Sequence, residues 1–164
     1  MNPLRYNLPM PYLVDGHNLI PKLGLRLDSI DDEMELVAIL QEFCRRDRRQ
    51  VDVYFDGAPA PHAGIRKYGA VTAYFVRLGT TADNAIRNRL KTLGKSAKNW
   101  TVVSSDRQVQ AEANAARAEV ISSDSFAAML KQARDTAPKA SGDRKLSENE
   151  VSEWMRLFQK GKPK

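Results

Sequence analysis

Asp15, Asp56, Asp83 and Asp106 each stand where an apolar run stops, in the segments Tyr12-Leu13-Val14-Asp15-Gly16-His17-Asn18, Val53-Tyr54-Phe55-Asp56-Gly57, Thr80-Thr81-Ala82-Asp83-Asn84 and Val102-Val103-Ser104-Ser105-Asp106. A carboxylate ending one buried strand has many explanations. Four at the strand ends of a parallel sheet converge on one edge, where open α/β sheets bind ligands. Converging carboxylates repel one another, so a positive group is required to hold them. Three or four such carboxylates form a hard oxygen set, and with no Cys or His set beside them they select Mg²⁺ or Mn²⁺ over zinc. An ion of that kind would activate a water and stabilise charge developing on a phosphoryl group, so no protein nucleophile is needed.

Each of these residues also has a structural role open to it. Asp15 and Asn18 could satisfy backbone N–H groups in an Asx turn, while the Asn18 amide could instead orient the Asp15 carboxylate, bind a metal-held water or contact a phosphate. Asp56-Gly57 is a common turn pair. Asp83 is placed to cap a helix in competition with Thr80, Thr81 and Asn84, and a first-turn carboxylate can cap and still offer an oxygen. Asp106 has the same option, but Ser104 and Ser105 beside it are expected to do the capping and leave its carboxylate free. Ser122-Ser123-Asp124 repeats the tripeptide before a helix where capping alone suffices, so Asp124 is assigned to structure. His17, a lone histidine in a turn, is read as exposed or hydrogen-bonded and stays outside the catalytic set. Asp15, Asp83 and Asp106 are the expected principal metal ligands, with Asp56 a further ligand or a partner to one.

The elements that must carry these residues alternate. Pro11 to Asp15 reads as a first central strand ending in a turn at Gly16-His17-Asn18, and Ser29 to Arg46 reads as a helix with Asp31, Asp32 and Glu33 in its first turn. Val51 to Phe55 is a second strand stopping at Asp56-Gly57, followed by the loop Ala58-Pro59-Ala60-Pro61. Ala70 to Val76 is a third strand, and Ile86, Leu90 and Leu93 mark a helix stopped near Gly94. Trp100 to Val103, then Arg107 to Arg117, then Glu119-Val120-Ile121, then Phe126 to Ala133 repeat strand and helix. The alternation predicts an α/β fold with a central, mainly parallel sheet and helices on both faces.

The chain has 164 residues, enough for one domain of ordinary size with its own core. Lys and Arg exceed Asp and Glu by 26 to 20, for a net charge of +6, and the pI is near 9.5. A basic protein with an acidic constellation has the charge pattern of a nuclease, in which cations hold phosphates and carboxylates hold metal. Arg66, Lys67, Arg77, Arg87, Arg89, Lys91 and Lys95 flank the site in sequence and are candidate phosphate contacts. The single Cys44 excludes an internal disulfide and is expected to be a reduced helix residue. No signal peptide or membrane span is visible, so a cytoplasmic location and no membrane partner are expected. Residues 1–137 are expected to form the domain. Residues 138–164 then form a polar linker and a short basic helix, capped by Ser147 with Glu150 and lined by Val151, Trp154, Met155 and Phe158.

Taken together, Tyr12-Leu13-Val14-Asp15-Gly16-His17-Asn18-Leu19-Ile20, Phe55-Asp56-Gly57, Thr81-Ala82-Asp83-Asn84-Ala85-Ile86 and Val103-Ser104-Ser105-Asp106 resemble the YacP-like NYN domains of the PIN-like nuclease superfamily over about residues 11 to 135. The resemblance implies a PIN-like three-layer α/β/α sandwich and a metal-dependent endoribonuclease. It maps Asp15, Asp56, Asp83 and Asp106 onto an acidic pocket, with Asn18 as the asparagine that follows the first aspartate. A further early-helix acid is common in such nucleases, and Glu33, Glu35 and Glu42 compete for that place. RNA is the implied partner, and some members of the group are similar to ribosome-associated RNA-cleaving factors. Two other classes remain open: an RNA- or ribosome-binding module with little catalysis, and a small-molecule phosphohydrolase. The latter is disfavoured because Gly16 and His17 interrupt the Asp-x-Asp arrangement usual after the first strand of such enzymes.

Overall fold

The computed structural model describes residues 10–25 and 30–136. β1 (Tyr12–Asp15) is buried along its whole length, and α1 (Gly16–Leu19) starts directly at its end. A 3-10 turn over Ile20–Leu23 follows. Next in order come α2 (Ile30–Asp47), β2 (Val51–Ala58), β3 (Gly64–Tyr68), β4 (Val71–Arg77), α3 (Ala82–Leu93), a 3-10 segment over Gly94–Asn99, β5 (Thr101–Val103), α4 (Arg107–Ala115), β6 (Glu119–Ile121) and α5 (Ser123–Thr136). The six strands lie in the order β3-β4-β2-β1-β5-β6. Every pairing is parallel except β3 with β4.

β1 lies between β2 and β5, so the chain winds outward in opposite directions on its two sides. That is the arrangement in which the carboxyl ends of the central strands leave a crevice between diverging connections. The registers fix what gathers there. Asp15 is opposite Tyr54, two residues before Asp56, while Val14 is opposite Val103, the residue before Ser104.

Strand alternation sorts the core into two layers. Tyr12, Val14, Val51, Val53 and Phe55 pack with Leu36, Leu40 and Phe43 of α2 and Phe126 and Leu130 of α5. Leu13, Tyr54 and Val102 pack on the other face with Ile86 and Leu90 of α3 and Val109 and Ala113 of α4. The result is the three-layer α/β/α sandwich the alternation predicted, with a mainly parallel sheet.

Several boundaries differ from the sequence reading. β3 lies where no strand was expected. It is an edge strand whose Ile65 is 66% exposed and whose half-buried side carries Arg66 and Tyr68, so its apolar residues do not mark an inward face, and its Arg66 and Lys67 are the charges that discourage edge pairing. β2 does not stop at Phe55; it continues to Ala58 through a register shift against β4, with Gly57 at φ 77°. Asp56 therefore sits inside a bulge rather than at a strand end, and bulges re-aim side chains. The Gly16-His17-Asn18 turn is a short helix. α4 ends at Ala115, before Arg117, whose φ is 67°, and α5 is longer than Phe126 to Ala133 at both ends.

Arg89 is not available for phosphate. Its Nη2 lies 3.0 Å from Oδ2 of Asp52, which is 2% exposed in the sheet, and its Nη1 donates to the Tyr74 hydroxyl at 2.8 Å. Its guanidinium also lies over the Trp100 ring. A buried carboxylate left without its charged partner is costly, which commits the arginine to the fold. Cys44 is a buried free thiol on α2, pushed up to about 11 by burial.

Two compact units divide the chain, Met1–Leu130 with the sheet, and Lys131–Lys164, of which residues 131–136 are described and are helical. The expected linker and capped helix beyond residue 137 lie outside the described residues. Among the described residues no helix is long and apolar enough to cross a membrane.

Candidate active site

Asp15 ends β1 as a buried side chain, 6% exposed. Its Oδ2 accepts a hydrogen bond from Ser104 Oγ at 3.1 Å, and Ser104 Oγ in turn accepts from the backbone N–H of Asp106 at 3.0 Å. The end of β1 is thereby tied to the β5–α4 loop. Burial pushes the Asp15 carboxyl up to about 6; the Ser104 hydrogen bond opposes this, and the charges of Asp83, Asp56 and Asp106 add to it. Three of the sequence-derived aspartates thus act electrostatically on the fourth.

Gly16 explains how β1 can run straight into a helix here. A Cβ on it would lie 2.4 Å from Phe55 Cε1 and 2.8 Å from the Tyr54 carbonyl oxygen. Gly16→Ala is expected to cost about 1–3 kcal/mol of stability by overpacking, measured as a lower urea midpoint at unchanged slope.

Asn18 acts as a bracket. Its Oδ1 accepts from the Ser105 backbone N–H at 2.8 Å and from Ser123 Oγ at 2.6 Å, while Ser123 N–H donates to Ser105 Oγ at 3.0 Å. Both lone pairs of the amide oxygen are used, so only its NH₂ group remains to meet a phosphate or a water. Asn18→Ala leaves two donors without their partner and is expected to cost about 1–3 kcal/mol, read by thermal or urea unfolding. The two Ser-Ser-Asp tripeptides are therefore joined through Asn18. In the second of them Ser122, not Asp124, takes the capping bond, accepting from Ser125 N–H at 3.0 Å, and Asp124 pairs with Lys22 at 3.1 Å.

Asp106 is the N-cap of α4, contrary to the expectation that the serines would free it. Its Oδ1 accepts from the N–H groups of Gln108 and Val109 at 2.8 and 3.2 Å. Ser104 cannot cap because its oxygen faces Asp15 and the Asp106 N–H. At α3 the cap is Thr81, which accepts from Asn84 N–H, so Asp83 sits in the first turn without that duty. Burial raises the Asp83 carboxyl above its ordinary value, helped by the charges of Asp106, Asp56 and Glu112 and opposed by Arg87. Arg87 is held 2.6 Å from Glu112 across α3 and α4.

His17 is the group the sequence reading left out. Its Nδ1 lies 2.7 Å from Asp56 Oδ1 and its Nε2 lies 2.5 Å from Glu33 Oε2. Burial opposes charge on the ring, but the hydrogen bonds to Glu33 and Asp56 overcome it and raise its pKa. Of the three competing glutamates only Glu33 turns inward. It is 9% exposed, whereas Glu35 is exposed and Glu42 pairs with Arg45 and Arg46 on the outer face of α2. The convergence of carboxylates was legible; that His17 joins them was not, because Glu33 and Asp56 approach it only through α2 and the β2 bulge.

Hard carboxylate oxygens that push one another's pKa upward are the donor chemistry Mg²⁺ and Mn²⁺ take. Among the described residues, however, no three His, Cys, Asp or Glu side chains stand close enough together to hold a metal by themselves.

The sequence profile of the YacP-like NYN domain matches residues 12–159. The chain belongs to the YacP-like NYN domain family. YacP-like NYN domains are nuclease-like and RNA-related, and the match covers β1, all four aspartates and much of the chain beyond residue 137. A crystal structure of Rae1 (YacP) from Bacillus subtilis is similar in fold, with a TM-score of 0.61 at 22% identity over 92% of this chain and 95% of that one. A point mutant of the same Bacillus subtilis protein gives 0.61 at 20% identity over 93% and 85%. No curated protein matches the chain in sequence.

Proposed function

We propose that this YacP-like NYN domain is a metal-dependent endoribonuclease that cuts single-stranded or exposed RNA by attack of an activated water. The observation that carries the reading is the Asp15 carboxyl at the switch point of the sheet, raised first by its burial and further by the charges of Asp83, Asp56 and Asp106 that converge on it. A site built to collect uncompensated negative charge is stabilised by a divalent cation. Asp15, Asp83 and Asp106 are the residues that would hold it, with some of its own waters kept, as Mg²⁺ characteristically does when few carboxylates contact it. When bound, such an ion supplies an acidified water and a counter-charge for the phosphoryl oxygens.

The chain's own residues have separate tasks. Ser104 orients Asp15 by its hydroxyl, and Asn18 locks the β5–α4 loop so that Asp106 keeps its place. Asp106 Oδ1 is spent on the α4 cap, which leaves Oδ2 for the site. Arg77, opposite Ala58 in the β2–β4 register, and Arg87, one turn beyond Asp83 on α3, stand on the same edge as candidate phosphate contacts. Phosphate contacts of this kind position an RNA backbone without reading its sequence. Association with the ribosome is one way such an RNA would be presented.

The test is an incubation of the protein with end-labelled single-stranded RNA under Mg²⁺, Mn²⁺ or EDTA. Internal cuts that need the metal support the reading. RNA retained on the protein but uncut in all three conditions would replace it with a binding module.

A further inference from the structure

The edge of the sheet opposite the acidic pocket, where the parallel strands begin, holds a cavity of about 400 Å³ lined by Arg48, Arg49, Gln50, Lys67 and Thr72, with no acidic side chain in its wall. Lys67 reaches this edge because β3 runs antiparallel to β4 and pairs it with Thr72, near the start of β4. Arg48 and Arg49 arrive by the turn that ends α2. Arg48 has φ 53°, and the Arg49 N–H donates to the Cys44 carbonyl at 3.1 Å, a closure in which glycine usually takes the left-handed place. Arg45 and Arg46, one turn earlier, are paired with Glu42, whereas Arg48, Arg49 and Lys67 form no ion pair among the described residues. Asp52 feels the Lys67 charge but is held by Arg89, and Asp47 acts on Cys44 and is not in the wall. The Arg49 guanidinium lies over the Tyr12 ring with one long hydrogen bond, 3.5 Å to the Met10 carbonyl, and its Nε is buried without an acceptor. Most of its five donors are unspent, on a fork already held in place.

We infer that this cavity is a second RNA contact, remote from the acidic pocket, in which Arg48, Arg49 and Lys67 hold backbone phosphate. This rests on the reading of the domain as RNA-acting but needs no cleavage. Three cations around one concavity with no acid among them suit a polyanion, and contacts of this kind fix the position of a strand without reading its bases. Arginines at the end of α2 also suit the helix dipole, but Lys67 stands on β3 and owes nothing to it. β1 spans four residues, so about 10 Å of strand separates the cavity from the carboxylates that would repel an RNA. Arg117 supplies a matched comparison. It too has a left-handed φ, 67°, at the end of a helix, with Ala118 N–H donating to the Ala113 carbonyl at 2.9 Å, yet it does not line this cavity.

The experiment measures binding of a labelled single-stranded RNA to the full chain in EDTA by fluorescence anisotropy, over a series of KCl concentrations, for wild type, Arg48→Gly, Lys67→Gln and Arg117→Gly. Glycine suits both left-handed positions, so Arg48→Gly and Arg117→Gly should melt at or above wild type, and a lost contact cannot be mistaken for lost folding. Arg48→Gly and Lys67→Gln should each bind more weakly, with the slope of log affinity against log salt shallower by about 0.7, the share of one phosphate contact on a single strand. Arg117→Gly should keep the wild-type slope. Equal slopes in wild type, Arg48→Gly and Lys67→Gln would overturn the inference, as would an equal loss in Arg117→Gly, which would make the effect one of net charge. Inorganic phosphate is the second probe: if it raises the melting temperature of wild type but not of Arg48→Gly while the RNA slopes are equal, the cavity takes a small free anion and not RNA. No RNA bound by wild type at the lowest salt would overturn the RNA reading beneath the inference and the inference with it.

Discussion

Asp15→Asn is expected to abolish RNA cleavage and to make the metal-free protein more stable near neutral pH. The two effects have one cause. The carboxyl is buried at the centre of an acidic field, and its pKa stands at about 6 against an ordinary 3.8. The folded state therefore holds this proton more tightly than the unfolded chain does. The contribution of that binding to stability is fully present below the unfolded value and is lost as pH rises through about 6. A shift of that size corresponds to about 3 kcal/mol. In EDTA, wild type should lose stability between roughly pH 4 and 7 from this group, and Asp15→Asn should lack that component, melting about 5 °C or more above wild type at pH 7. The amide still accepts the Ser104 hydrogen bond, so the gain is not offset by an unpaired donor. Cleavage, by contrast, should fall by ~10³-fold or more, about 4 kcal/mol of barrier, because the charge that burdens the fold is the one the reaction uses. Melting curves at several pH values, beside single-turnover cleavage, read both effects. A variant that is less stable than wild type in EDTA and still cuts RNA would contradict the account.

Asp106 is expected to show the opposite separation. Here one side chain caps α4 through Oδ1 and offers its charge to the site. Asn is as good a cap as Asp, whereas Ala caps poorly. Asp106→Asn should keep the stability of wild type within a few tenths of a kcal/mol, and Asp106→Ala should lose about 1 kcal/mol. Both should lose cleavage alike, by ~10²-fold or more, since both remove the carboxylate. If Asp106→Asn cleaves like wild type and only Asp106→Ala is impaired, then Asp106 serves the helix alone.

The parts of this architecture that follow from local pattern were legible in the sequence. Tyr12 to Val14, Val51 to Phe55 and Val102-Val103 are short apolar runs punctuated by turn residues, and α2 to α5 carry helical spacing, so the parallel α/β/α order could be read directly. What escaped depends on contacts between distant segments. β3 is an edge strand with its one aliphatic residue, Ile65, in solvent and the charged Arg66 on its half-buried side with Tyr68, so hydrophobicity does not trace its inward face. The β2 bulge at Asp56 is a matter of pairing with β4, which no residue of β2 declares by itself. The capping roles were misassigned because Ser104 is drawn away by Asp15, eighty-nine residues earlier in the chain, and Ser123 by Asn18. His17 illustrates the limit most clearly. Its partners are Glu33 and Asp56, 16 and 39 residues away, and only the fold brings a second strand and an early helix to one imidazole.

The most direct measurement is the chemical form of the ends left on a cut RNA. Wild type and Asp15→Asn should be incubated with an end-labelled single strand under Mg²⁺, Mn²⁺ and EDTA, and the product termini resolved. Attack by an activated water predicts internal cuts that need the metal, vanish in Asp15→Asn and leave no 2′,3′-cyclic phosphate. Cuts that persist in EDTA and in Asp15→Asn, or that end in a cyclic phosphate formed by the RNA's own 2′-hydroxyl, would contradict it.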